Sequence, residues 1–291
     1  MKPQRYGPFP YTPITQRPKI TWPGGARLAF WIIPNVEFFP LDETVPVRGP
    51  SGKVPDIPNW AHRDYGARIG IFRIMEVLNR HGIKGTVTLN SEVCDAYPQI
   101  VEEIMRLDWE IMGHNQSNSR LLNAVPPETE KDLILDSLAR IEEFTGKRPT
   151  GWLGSGLAET WNTLDYLAEA GITYVADWTN DDQPYLMDLD GKQMTSIPYS
   201  REINDIPQFE VHMRTPEEFD QMIRRQFDTL YREGEVTGRV MAVCIHPFLI
   251  GMPHRIGCLD SALEYITSHD GVWCATGNEI IEHYLAAGQT F

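Results

Sequence analysis

Apolar runs and helical repeats alternate along most of this chain. Positions 26–35 (ARLAFWIIPN) and 239–245 (RVMAVCI) are nearly continuous apolar runs, which are typical of parallel strands covered on both faces. Positions 67–81 place apolar residues at helical spacing, and Gly82 ends the predicted helix. This alternation of strands and helices predicts an α/β fold with a parallel sheet.

Weaker patterns predict the remaining elements. Further strands are expected at 85–90, 110–114, 150–153, 172–176 and 272–275, with one more ending at 197–199. Further helices are expected at 98–107, 129–144, 160–170, 215–232, 258–268 and 279–287. About seven strand–helix units fit a closed or nearly closed β/α barrel better than an open sheet. A doubly wound open sheet is the alternative, and the lack of a glycine-rich fingerprint after the first strand disfavours it.

Two segments lack such periodicity. Positions 1–25 contain six prolines, so we expect an ordered N-terminal arm that lies on the domain or on a neighbouring subunit. Positions 26–291 form one predicted domain. Within it, positions 37–65 are rich in proline and aromatic residues and are predicted to be irregular. Long irregular segments in compact domains are usually functional, which directs attention to this region.

Composition and charge narrow the classes of function. The 291 residues carry a formal net charge of −14, and an acidic surface repels phosphate backbones, so no nucleic-acid partner is expected. No run approaches the ~20 apolar residues of a membrane span and no apolar signal segment begins the chain, so we expect a cytoplasmic protein without a membrane partner. The four cysteines lack CxxC spacing and are expected to be reduced thiols, with a Cys244 nucleophile as the alternative.

Three polar residues stand where predicted strands end. Glu37 follows the first strand, His114 ends the strand at 110–114, and His246 follows the strand at 239–245. In parallel β/α folds, functional residues collect at the carboxyl ends of the strands. A single histidine or glutamate at such a place is usually structural, but three of them on three strand ends favour a shared site.

These residue types have a recognisable chemistry. Histidine transfers protons near neutral pH, and glutamate acts as a base or as a metal ligand. Zinc usually takes three protein ligands, but Asn118 stands where a second histidine, four residues after His114, would complete a pair. We therefore expect no tightly bound metal, with a weakly held zinc-like ion on Glu37 and His114 as the alternative cofactor.

Other candidates depend on weaker signals. Arg68 lies on a predicted helix, where it either pairs with an acidic side chain or orients a substrate. Backbone N–H groups at 154–156 are predicted to form an oxyanion site. Ser155 is disfavoured as a nucleophile because the G-x-S-x-G spacing is missing.

Several motifs together resemble the NodB-type polysaccharide deacetylases. They are WPGGAR at 22–27, YGARIG at 65–70, EIMGH at 110–114, TGKRPTGW at 145–152 and IHP at 245–247. Three further motifs are similar to the branch of this family that contains the bacterial allantoinase and cyclic imide hydrolases. They are DDQPY at 181–185, IPY at 197–199 and LIGMP at 249–253.

The resemblance implies a distorted parallel β/α barrel of the NodB type and hydrolysis of an amide-type C–N bond. By position, Asn35 stands where metal-dependent members have a base, and Glu37 and His114 stand at ligand positions. Asn118 replaces the second metal-binding histidine, and His246 takes the place of a late histidine that acts as general acid. An asparagine amide cannot accept a proton as a base does, so Asn35 cannot take over the role of the base. Because the second metal-binding histidine is also replaced, the resemblance implies the metal-independent chemistry of the allantoinase-like branch.

We therefore expect a hydrolase that opens a small cyclic amide, imide or ureide, with Glu37, His114 and His246 as catalytic residues. The residues expected to bind substrate are Asn35, Arg68, Asn118, Trp152, Gly156 and Tyr199. N-deacetylation of an acylated amino sugar and an inactive scaffold role are the alternatives. The expected partner is a small-molecule substrate, bound by a homo-oligomer.

Overall fold

Nine strands and nine helices make up the part of the chain that the structure, a computed structural model, describes, namely residues 3–45 and 53–288. The strands are β1 Leu28–Val36, β2 Thr86–Leu89, β3 Glu110–Gly113, β4 Gly151–Trp152, β5 Tyr174–Val175, β6 Tyr185–Leu189, β7 Lys192–Ser196, β8 Arg239–Ile245 and β9 Val272–Cys274. The helices are α1 Ile57–Tyr65, α2 Ile71–Arg80, α3 Val93–Ala96, α4 Pro98–Arg106, α5 Glu130–Thr145, α6 Thr163–Glu169, α7 Pro216–Glu233, α8 Ile256–Thr267 and α9 Gly277–Ala286. Over these same residues, no helix has the length and apolar character needed to span a bilayer.

The strands form one curled sheet in which β6, β7, β5, β4, β3, β2, β1 and β8 are successive neighbours. β1 pairs in parallel with β8 along one edge, and with β9 and then β2 along the other. The pairing of β6 with β7 is antiparallel. Two backbone hydrogen bonds close the remaining gap, from Val240 N to Asp182 O (2.8 Å) and from Cys244 N to Ile203 O (3.0 Å). The predicted α/β fold with a distorted, mostly parallel barrel is therefore confirmed.

The barrel separates two apolar layers because side chains alternate along each strand. On β1, Ala29, Trp31 and Ile33 point into the barrel, whereas the residues between them pack against the surrounding helices. The Trp31 indole donates a hydrogen bond across the interior to the carbonyl O of Pro198, at 3.1 Å. This bond satisfies the buried N–H of a large aromatic side chain and joins opposite sides of the sheet.

Three elements were missed by the sequence-based prediction, namely helix α1, the short helix α3 and strand β6. Part of the segment predicted to be irregular is helix α1, capped by the Asp56 carboxylate on the N–H of Asn59, while positions 46–52 lie outside the described residues. The helix has no clear apolar period, so its pattern did not reveal it. β6 was also missed, and the Asp190–Gly191 turn, with both φ angles positive, joins it to β7 as a hairpin.

Close backbone packing positions the segment that carries His246. Between α1 and α2 a π-helical turn, Gly66–Gly70, lies against the chain that follows β8. A Cβ atom on Gly66 would lie 2.5 Å from Phe248 N, and one on Gly70 would lie 2.0 Å from Pro247 O. Both obstacles are backbone atoms, which cannot move aside as a flexible side chain does. The two glycines therefore set how closely the π-helical turn approaches the turn after His246.

Replacing Gly70 with alanine is expected to lower the free energy of unfolding by roughly 1–3 kcal/mol, because the added methyl group forces the backbone at Pro247 to shift. Gly257→Ala is the matched control, since a Cβ on Gly257 meets no atom within 4 Å and the residue lies in helix α8. Urea unfolding of both variants checks the difference. Equal stability of the two variants would contradict the packing argument.

Candidate active site

Glu37, His114 and His246 meet at one end of the barrel. β1 and β8 are paired up to Pro34 and Ile245, so the residues just beyond them lie side by side. Glu37 Oε1 lies 3.6 Å from His114 Nε2 and 3.6 Å from His246 Nε2. The three side chains are 5%, 2% and 4% exposed, respectively, so a carboxylate and two imidazoles share a space largely closed to water.

His246 is held by a buried carboxylate that sequence reasoning missed. Asp205 Oδ1 lies 2.6 Å from His246 Nδ1, and its Oδ2 accepts hydrogen bonds from the N–H groups of His246 and Ile250. Burial lowers the pKa of His246, but the charges of Asp205 and Glu37 outweigh burial and raise it to about 10. His246 is therefore an imidazolium at neutral pH, with Nδ1–H on Asp205 and Nε2–H facing Glu37.

Glu37 is the anionic partner of this imidazolium. Burial raises its pKa, but the favourable interactions of the carboxylate, led by the positive charge of His246, outweigh burial and lower the pKa to about 2. Asn118 donates a hydrogen bond from Nδ2 to Glu37 Oε1 at 2.7 Å. Glu37 is therefore ionised, with one oxygen engaged by protein groups.

The orientation of His114 follows from its other ring nitrogen. Its Nδ1 lies 2.6 Å from the carbonyl O of Leu153, and a carbonyl only accepts, so Nδ1 carries the hydrogen. In the tautomer whose only ring hydrogen is on Nδ1, Nε2 presents a lone pair. Three buried atoms here have no hydrogen-bond partner among the described residues: His114 Nε2, Glu37 Oε2 and Asn118 Oδ1. All three accept hydrogen bonds, so the arrangement suits a donor such as water or a substrate N–H.

These donors do not fit a tightly held zinc ion. Zinc sites use imidazole, thiolate and carboxylate ligands, and an asparagine amide oxygen is a poor substitute. His246 is turned to Asp205 and Glu37 as a cation, which leaves one imidazole and one carboxylate as ligands. Across residues 3–45 and 53–288, no three His, Cys, Asp or Glu side chains form a group suited to holding a metal ion.

Asn35 and Tyr199 lie beside the three residues, but Asn35 serves the scaffold. Its Oδ1 accepts from Thr88 Oγ1 and from the Tyr199 hydroxyl, and its Nδ2 donates to the carbonyl oxygens of Ile33 and Ile245. Asn35 therefore ties the ends of β1, β2 and β8 together, and its amide is already engaged. Burial also raises the pKa of the neighbouring Cys244 thiol far above its ordinary value, which argues against a Cys244 nucleophile.

A cavity of about 1170 Å³ opens onto the site. Its lining includes Glu37, His114, His246, Asn35, Asn118, Gly156 and Tyr199. The N–H of Gly154 donates to Asp177 Oδ1 at 2.8 Å, so the prediction that this group binds an oxyanion is wrong. Ser155 and Gly156 begin a 3₁₀ turn, where the first N–H groups have no partner within the turn, so they are the better oxyanion donors.

The structure places Trp152 and Arg68, which were predicted to bind substrate, away from the residues that line the cavity. Successive side chains point to opposite faces at the end of β4, so Trp152 packs among the helices outside the barrel and Leu153, the residue after β4, faces the interior. Arg68 is 71% exposed on the π-helical turn and pairs with Asp64. The arginine that lines the cavity, among the described residues, is Arg201.

Two functional candidates had no sequence signal. Asp205 belongs to a loop after β7 that shows no periodicity, and Arg201 belongs to the same loop. Both come near the site because this loop reaches β8 across the gap between the edge strands β6 and β8, where Asn204 forms a bridge with Cys244. Only the closure of the barrel shows this proximity.

Comparisons with known sequences find similarity to one family of proteins. The sequence model of a family described as polysaccharide deacetylase matches residues 51–175. A protein of Schizosaccharomyces pombe named putative polysaccharide deacetylase is 29% identical over 248 residues, which are 77% of this chain and 75% of that protein.

Two solved structures are similar over almost the whole chain. The crystal structure of a probable polysaccharide deacetylase from Pseudomonas aeruginosa PAO1 has a TM-score of 0.88 and 26% identity, covering 94% of this chain and 96% of the other. The crystal structure of PuuE allantoinase has a TM-score of 0.87 and 25% identity, covering 94% and 95%. Residues 51–175 of this chain therefore match the polysaccharide deacetylase family, and the curled barrel is the fold that the chain shares with these solved structures.

Proposed function

We propose that this protein opens the ring of a small cyclic amide, imide or ureide by hydrolysis of a C–N bond. One observation carries the proposal, namely that the Glu37 carboxylate lies 3.6 Å from the imidazolium of His246 in a buried site. An ionised base and a protonated acid that face the same space are what attack by water and departure of an amine require.

Water is activated by Glu37 and His114. The unpartnered Oε2 of Glu37 and the Nε2 lone pair of His114 accept the two hydrogens of one water molecule. That orientation leaves a lone pair of the water oxygen free to attack the carbonyl carbon, while Glu37 takes up the proton. In this mechanism His114 therefore acts on the attacking water and not on the carbonyl group of the substrate.

His246 supplies the proton that the leaving nitrogen needs. As Nε2 gives up its proton, the positive charge that lowers the pKa of Glu37 disappears, so Glu37 becomes a stronger base during the reaction. The proton taken from water then returns from Glu37 to His246 across the 3.6 Å gap. Acid and base therefore regenerate each other, and water has been added across the C–N bond.

The oxyanion formed at the carbonyl is received by backbone N–H groups. Ser155 and Gly156 offer two such groups at the start of their 3₁₀ turn, and Gly156 lines the cavity with φ +65°. Glycine adopts this left-handed backbone conformation without strain. Arg201 takes the substrate-orienting role that was expected of Arg68.

Support for a ring substrate comes from the structural likeness to PuuE allantoinase and from a donor set that does not fit the zinc of metal-dependent deacetylases. N-deacetylation is the second candidate, favoured by the similarity to proteins named polysaccharide deacetylase. The products separate the two, since deacetylation releases acetate and ring opening releases nothing.

Glu37→Gln and His246→Gln are each expected to lower ring-opening kcat at least ~100-fold, because each removes one proton-transfer group. His81→Gln is the matched control, a histidine paired with Asp260 away from the cavity. Turnover of a panel of hydantoins, cyclic imides and ureides is measured by chromatography of the open-chain product, with acetate assayed on N-acetyl sugars. Full activity in both variants would refute the assigned roles, and no turnover of either panel by the wild type would favour an inactive homologue.

Asp205→Asn is expected to lower the pKa of His246, because the variant removes a charge that raises it. In the wild type this raised pKa contributes stability that is present below the ordinary pKa of about 6.5 and is lost as pH rises through about 10. The variant should therefore lose less unfolding free energy between about pH 6 and pH 10. Urea unfolding across this range, with NMR titration of His246, tests the expectation, which an unchanged pKa would overturn.

Chelation is expected to leave ring opening unchanged, because the donor atoms at the site do not fit a tightly held zinc ion. The measurement is kcat before and after dialysis against EDTA, with metal content determined by mass spectrometry. Loss of activity that added Zn²⁺ restores would contradict the expectation and would favour a zinc-dependent deacetylase mechanism.

A further inference from the structure

The N-terminal arm, residues 3–25, lies along the gap that the barrel leaves between its two edge strands, β6 and β8. Asp188 of β6 donates its N–H to the carbonyl O of Pro8 at 2.7 Å. Farther along the arm, Gly238 donates to the carbonyl O of Ile20 at 2.9 Å, just before β8 begins. The arm is thus attached to the sheet on both sides of the gap.

The chain segment that fills this gap also forms one wall of the substrate cavity. Its residues Thr179, Asn180, Asp181 and Asp182 all line the cavity, and we call them the gap wall. No strand of the sheet includes these residues, so their position depends on side-chain contacts and a few backbone hydrogen bonds.

The arm contacts one residue of the gap wall directly, Asp181, and supports a second, Asn180, through Tyr185. Arg17 forms a bidentate ion pair with Asp181, with both N···O distances 2.6 Å and both side chains 14% exposed. Asn180 accepts a hydrogen bond from the Tyr185 hydroxyl, and the ring of Tyr185 packs on Phe9, with centroids 4.7 Å apart. Phe9 also makes an edge contact with Trp178, immediately before the gap wall.

The next wall residue is anchored by the barrel. Asp182 O accepts a hydrogen bond from Val240 N, and the neighbouring Gln183 donates from Nε2 to Gly238 O at 2.8 Å. The Asp181 carboxylate also accepts the N–H of Gln183 at 3.0 Å. Arg17 therefore holds an acidic side chain whose Oδ1 also accepts the N–H of Gln183.

Removing Arg17 would raise the free energy of the folded gap wall, because the Asp181 carboxylate would lose its cationic partner. Asp181 would be a nearly buried, unpaired charge next to a second carboxylate, Asp182, whose pKa burial and Asp181 already raise. An unpaired charge of this kind drives the side chain towards water. Because the wall has no strand pairing of its own, such a movement displaces cavity-lining residues.

We propose that Arg17 and Phe9 of the arm are positioning residues for the substrate cavity, and that they set substrate affinity by holding the gap wall in place. They contact neither Glu37 nor His246, so the proton-transfer groups keep their geometry without them. The effect on substrate rests on the proposed function, whereas the effect on the wall does not.

The test compares Arg17→Gln with Arg5→Gln, the same change at an exposed arginine of the same arm. In hydrogen–deuterium exchange of the full-length protein, the N–H of Gln183 is expected to exchange at least ~10-fold faster in Arg17→Gln, because it loses an oriented acceptor. Arg17→Lys keeps the charge but loses the planar fork, so it should lie between the wild type and Arg17→Gln. Equal exchange at Gln183 in Arg17→Gln and Arg5→Gln overturns the proposal.

Kinetics supply the second readout. For the ring compound that the wild type opens, Arg17→Gln and Phe9→Ala are expected to raise KM several-fold while kcat changes less than about twofold, and Arg17→Lys should recover part of the affinity. A thermal unfolding shift with unchanged KM would show a purely structural arm and overturn the proposal. If the wild type opens no ring, the proposed function fails, while exchange at Gln183 still decides whether the arm holds the wall.

Discussion

A buried row of alternating charges, Asp205, His246 and Glu37, governs the open end of this barrel. Each charge is stabilised by its neighbour, and removing one would leave another unpaired at low exposure. The row keeps an imidazolium and a carboxylate together at neutral pH, although burial opposes both charges. The free protein therefore already contains a proton acceptor, Glu37, and a proton donor, His246, in contact with the same space.

The strands of the barrel hold Glu37 and His246 of this row side by side. Pairing of β1 with β8 places Glu37 beside His246, and Asn35 ties the ends of these strands to β2. Glycines in the π-helical turn allow the turn after His246 to pack against backbone. The remaining side of the cavity is irregular chain, which depends on the arm. Rigid strands therefore carry the proton-transfer groups, and loops shape the space for substrate.

The sequence was enough to identify the polar residues at strand ends, but it did not show in which direction other candidate side chains point. Glu37, His114 and His246 could be identified from the sequence because each stands at the end of an apolar strand, and the carboxyl ends of such strands meet in a parallel sheet. Trp152 was misplaced because β4 has only two residues, so no alternation could be read from it. Arg68 was misplaced because one turn of π-helix changes which face of the helix it occupies.

The amino-acid pattern by itself determined the fold class and the order of most strands and helices, because apolar periodicity is a local property of the chain. It also identified Glu37, His114 and His246 as candidate site residues, because each of them stands at the end of a predicted strand. Only the tertiary structure decided that Asp205 lies against His246 and raises its pKa, that Arg201 lines the cavity, and that Arg17 of the arm pairs with Asp181 of the gap wall. These contacts join segments far apart in the chain. Their partners lie in loops without periodicity, so they exist only once the barrel has closed.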